Sequence, residues 1–90
     1  MKQGVAMAEL IHTHTAVFRD EAGVVYSIQT RGEERPDGTW SGWLEFHPVD
    51  PGLPVRTTGQ ETTQPNRDAL VYWATGLEPL YFDGAFDRAG

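Results

Sequence analysis

Ninety residues carrying 13 acidic against 7 basic side chains, a formal charge of −6, make an acidic chain of single-domain size with a small core. The few arginines and Lys2 are scattered, which argues against nucleic acid, because affinity for phosphate backbones rests on clustered Lys and Arg. The absence of cysteine excludes disulfides, thiol catalysis, thiolate zinc sites and iron–sulfur clusters, and is compatible with the cytoplasm.

Residues 1–7 hold one lysine and no apolar core, so they read as a loose leader, neither a secretory signal nor a membrane anchor. Residues 8–90 read as a single α+β domain. From Ala8 to Arg19 the chain is rich in Thr, Val, Ile and Phe and suits a strand. Leu10, His12, His14, Ala16 and Phe18 alternate with Ile11, Thr13, Thr15, Val17 and Arg19, and neither set is cleanly polar. Asp20 to Gly23 predicts a four-residue hairpin loop with Gly23 at positive φ. Val24 to Arg31 is a second strand whose Val24, Tyr26, Ile28 and Thr30 face the core. Gly32 to Thr39 reads as a polar loop, because Pro36 and Asp37-Gly38 are breakers. Trp40 to His47 is a third strand with Trp40, Gly42, Leu44 and Phe46 on one face and Ser41, Trp43, Glu45 and His47 on the other. The prolines at 48, 51 and 54 force an irregular connection, and Val55 to Glu61 makes a short fourth strand.

The stretch from Glu61 to Ala89 carries the clearest signals. Thr62 and Thr63 can cap a helix that starts at Gln64 or Pro65, with Asp68 near the positive end of its dipole. Ala69, Leu70, Trp73 and Leu77 recur at helical spacing, and Gly76 supplies a stop. Leu80-Tyr81-Phe82 is short enough for a strand, followed by a turn that Asp83 can cap. The expected architecture is an antiparallel meander of about four strands packed against one C-terminal amphipathic helix, then a short strand and a short helical turn.

The run Thr-Thr-Gln-Pro-Asn-Arg at 62–67, with Tyr72-Trp73-Ala74, Gly76-Leu77-Glu78-Pro79, Tyr81, Gly84-Ala85 and Arg88-Ala89, resembles the C-terminal half of small bacterial domain proteins. It spans the last third of the chain and implies no activity, so no functional residue is carried over from it.

His12 and His14 stand two apart on one strand, as do Glu45 and His47 on another, so each pair projects from one face. Facing pairs on neighbouring strands would make a set of divalent-metal ligands, similar to cupin metal sites but without the strand number or glycine-framed motifs of that family. No cofactor is expected. A non-catalytic protein-interaction or accessory domain is the favoured reading. It would use an aromatic surface around Trp43, Tyr72, Trp73 or Tyr81 to bind a partner chain or a second copy, since Trp and Tyr are common interface anchors. The alternative is a small-ligand or metal-binding domain with a pocket between sheet and helix, where Arg56 or Arg67 would hold a carboxylate.

Overall fold

The computed structural model describes residues 8–90, so the leader expected over residues 1–7 lies outside them. Strands β1 (Glu9–Arg19), β2 (Val25–Glu34) and β3 (Trp40–Pro48) form an antiparallel meander. Two short strands, β4 (Arg56–Thr57) and β5 (Thr62–Gln64), both pair with β3 along its far edge, and helices α1 (Arg67–Thr75) and α2 (Pro79–Arg88) complete an α+β domain.

Turn chemistry sets the strand register. Asp20 Oδ1 accepts the backbone N–H groups of Ala22 and Val24 at 2.9 Å each, and Gly23 adopts φ 87°, which closes the β1–β2 hairpin. Asp37 does the same for Thr39 beside Gly38, also at φ 87°. This Asx turn is so compact that Gly32, Glu33 and Glu34, expected in a loop, remain in β2 and pair with β3.

One face of the sheet carries the core. Ile28 lies opposite Phe46 and Thr30 opposite Leu44, all fully buried, as the alternation in β2 and β3 predicts. In β1 the register shifts twice, between Leu10 and His12 and between Thr13 and Val17. These irregularities bring Ile11 and His14, which strict alternation would place on opposite faces, both into buried positions.

The C-terminal elements depart from expectation at three points. Helix α1 starts at Arg67 rather than Gln64 or Pro65, and its cap is Asn66, whose side chain accepts the Ala69 N–H at 2.8 Å. Pro65 biases the residue before it towards extended backbone, so Thr62–Gln64 stays in the ladder. Gly76 ends α1 in a right-handed conformation, φ −91°, not the left-handed one. Leu80-Tyr81-Phe82 is the first turn of α2 and not a strand. Pro79 starts that helix, and Phe82, Ala85, Phe86 and Ala89 recur at helical spacing and are buried.

The two layers meet most closely where Gly32 and Gly42 lie opposite each other in β2 and β3. Leu70 of α1, fully buried, sits directly above them: a Cβ on Gly32 would lie 2.5 Å from Leu70 Cδ2, and one on Gly42 would lie 2.6 Å from Cδ1. Gly32→Ala is expected to cost about 1–3 kcal/mol by overpacking, measured by urea denaturation. The same change in a Leu70→Ala background should cost less, with the Ser41 carbonyl at 3.0 Å and Ile11 Cγ1 at 3.2 Å as the remaining close neighbours, and an equal cost in both backgrounds would show that the clash is not with Leu70.

Candidate functional site

Helices cover only one face of the sheet, and the uncovered face carries a connected set of polar side chains from β2 and β3. Register places Arg31 opposite Trp43, Gln29 opposite Glu45 and Ser27 opposite His47. Glu45 is the hub. Its Oε1 lies 3.0 Å from His47 Nε2 and 3.5 Å from Arg31 Nε, and its Oε2 accepts the Trp43 indole N–H at 3.4 Å. Arg31 also donates to Gln29 Oε1 at 3.2 Å, while its buried Nε is ion-paired with Glu45 without a hydrogen bond.

Trp43 is half-buried and borders an open cleft of about 1040 Å³ at the β2–β3 hairpin end of this face. The other walls include Glu33, Ser41, Thr58 and Gln60. The break between β4 and β5 shapes the cleft. Thr58 still donates its N–H to Leu44 O at 3.0 Å, but its hydroxyl, not its carbonyl, accepts the Leu44 N–H at 3.0 Å and donates to Gly59 O at 2.8 Å, and Gln60 accepts a hydrogen bond from Arg35 at 3.2 Å. The cleft thus offers an aromatic plane beside hydroxyl, amide and carboxylate groups. Ser41, Thr58 and Gln60 are cleft residues that sequence reasoning missed, because the interruption of the fourth strand has no breaker signal beyond Gly59.

The expected metal set does not assemble. β2 lies between β1 and β3, and His14 points to the helix side while Glu45 and His47 are on the uncovered face. Among the described residues no group of three or more His, Asp or Glu is placed to hold a metal ion. His12 and His14 do meet, ring edge to face at 4.7 Å, and His14 Nε2 lies 2.7 Å from the Thr30 hydroxyl beneath Phe82. Burial, helped by the neighbouring His12, pulls the His14 pKa down to about 4.

The other expected site residues scatter. Tyr72 is 83% exposed on α1. Trp73 and Tyr81 pack edge to face at 5.9 Å and join the helices, and Tyr81 donates to Glu61 Oε1 at 2.5 Å. Arg88 holds the same carboxylate through two hydrogen bonds, at 2.6 and 3.1 Å. Glu61 therefore clamps both ends of α2 to the β4–β5 link. Arg88 above all holds the Glu61 carboxyl below the usual range against the opposing push of burial, whereas burial and Glu61 push the Tyr81 phenol up to about 12. Neither proposed carboxylate-binding arginine is free: Arg56 lies 4.4 Å over the Phe86 ring and donates to Ala89 O, and Arg67 pairs with Glu9 at 3.1 Å.

No known protein family, curated protein or solved structure matches the chain. No helix among the described residues is long and apolar enough to cross a membrane.

Two pH effects follow from these environments. Because the folded pKa of Glu61 lies below its unfolded value, its stabilisation is complete above that value and lost as pH falls through the folded one. Glu61→Gln is expected to lower the Tm by roughly 5 °C at neutral pH, and the deficit should shrink as the pH falls below the ordinary Glu value of 4.5. His14 is depressed from 6.5 to about 4, so its neutral form contributes stability above 6.5 that declines as pH drops towards 4. His14→Gln should remove that slope from a plot of unfolding free energy against pH.

Proposed function

We propose that this chain is a non-catalytic binding domain that recognises a partner protein through the uncovered sheet face around Trp43. The observation that supports it is the position of Trp43. A half-buried indole stands on a face with no helical cover, tethered to Glu45 and next to a cleft lined by hydroxyl, amide and carboxylate groups. A large amphipathic ring with few rotamers is the typical anchor of an interface, and the surrounding polar groups fit a rim that exchanges water for partner hydrogen bonds.

The aromatic surface expected from the sequence divides under this reading. Trp73 and Tyr81 serve the helix–helix junction, and Tyr72 stands alone on α1, which leaves Trp43 as the anchor. Antiparallel sheets commonly leave one face solvated, so the polar side chains of this face are compatible with a free monomer that binds reversibly. We propose the cytoplasm as its setting, with which a chain without cysteine is compatible.

A benzophenone side chain introduced in place of Gln29, on the uncovered face, is expected to give one discrete protein adduct on irradiation in the host cell. The same group in place of Tyr72 should give none. Trp43→Ala should abolish the adduct while costing stability about 1 kcal/mol or less. Adducts from position 72 alone, or an adduct that survives Trp43→Ala, would move the binding surface elsewhere.

A further inference from the structure

A second recess lies on the helix side of the sheet, at the end of β2 remote from the Trp43 cleft. It is a groove of about 540 Å³ between the β1–β2 turn and α2. Phe18 and Phe86 form its floor, their rings stacked at 4.5 Å. Its walls are acidic: Asp20 and Glu21 on the turn, Asp83 and Asp87 on the helix, against one cation, Arg19, which donates to Gly23 O at 3.3 Å. Asp20 is engaged in the turn and with the Tyr26 hydroxyl. Glu21, Asp83 and Asp87 are exposed and have no hydrogen bond or ion pair from their side chains among the described residues.

Fold stability does not account for these acids. Asp83 and Asp87 are four residues apart on one helix, a spacing at which like charges repel. Asp87 also sits in the last turn of α2, where the negative end of the helix dipole disfavours an anion. Residues that break local rules without a compensating contact tend to mark functional positions. Among the described residues no three carboxylates converge on a point that could hold a metal ion, so the charge is spread along the groove and suits an extended cation.

We propose that this groove docks an arginine or lysine side chain from a basic segment of a partner protein. The aliphatic stem would pack on the edges of Phe18 and Phe86, and the charged head would lie between Glu21, Asp83 and Asp87. Phe18 and Phe86 supply the apolar floor that a bare surface ion pair lacks, and the acidic walls supply charge complementarity. This site shares no residue with the Trp43 cleft, so the two readings stand or fall separately.

The test is an NMR titration of the labelled protein with a blocked synthetic peptide of alternating arginine and alanine. Shifts are expected to concentrate at Phe18, Glu21, Asp83, Phe86 and Asp87. The double variant Asp83→Asn/Asp87→Asn should bind about tenfold more weakly, yet melt at a higher temperature than the wild type. Asp68→Asn/Glu78→Gln, which removes as much charge at exposed positions outside both recesses, should leave binding unchanged. Shifts dispersed over the whole acidic surface, an equal loss in the Asp68/Glu78 variant, or a lower Tm for the Asp83/Asp87 variant would each overturn the proposal. Spermidine matching the peptide in affinity and shift pattern would also overturn it, by making a free polyamine the occupant.

Discussion

The seating of Leu70 on the paired glycines Gly32 and Gly42 fixes how the helical layer meets the sheet. Side chains at those two positions would hold α1 away from the strands, and Ile11, Trp40 and Ala74, which form one cluster with Leu70, would lose their packing. With α1 seated, Trp73 meets Tyr81 and so locates α2. Helix α2 then covers Ile28, Leu44 and Phe46 with Phe82 and Phe86, and the Glu61 clamp ties it back to the sheet edge. The two clusters, one under α1 and one under α2, are joined by the Trp73–Tyr81 contact.

That arrangement leaves the molecule two-layered and one-sided. Among the described residues the fully buried apolar side chains lie between sheet and helices, so the other face has to be satisfied largely by polar contacts among its own side chains. Glu45 meets that need by holding Trp43, His47 and Arg31 around one carboxylate. The long edge strand β1 is irregular at two points, which interrupts the straight row of backbone donors and acceptors that a further strand would need. Recognition through side chains of the open face is therefore better supported than strand addition at that edge.

Much of this fold was legible in the sequence because β2 and β3 alternate cleanly and both hairpins carry an Asp that accepts turn N–H groups and a Gly where positive φ is required. The end of the chain was harder. Leu80-Tyr81-Phe82 looks like a strand when read as a triplet, and only the wider spacing of Phe82, Ala85, Phe86 and Ala89 shows the helix. The cap of α1 was misplaced because Thr62, Thr63 and Asn66 are all good capping residues, and choosing among them depends on how far the β5 ladder runs. The burial of His14 could not be read because a register shift in an edge strand has no signature in β1 itself. Of the candidate site, Trp43 was visible as a residue, but its cleft depends on the β4–β5 break and on Thr58 turning inward.

The helix-covered face of this small acidic domain holds its core, and Trp43 is the largest apolar side chain on the uncovered one. The chain's three tryptophans report on separate places: Trp40 in the core, Trp73 at the helix junction and Trp43 on the uncovered face. Fluorine NMR of the protein labelled with 5-fluorotryptophan, compared in buffer and in extract of its own host with a soluble gadolinium chelate present, separates them directly. The Trp43 line should shift and gain protection from the chelate in the extract while the Trp40 and Trp73 lines keep their buffer positions. A Trp43 line that stays open to the chelate, with Trp73 the one that moves, would contradict the assignment of the binding surface to the sheet.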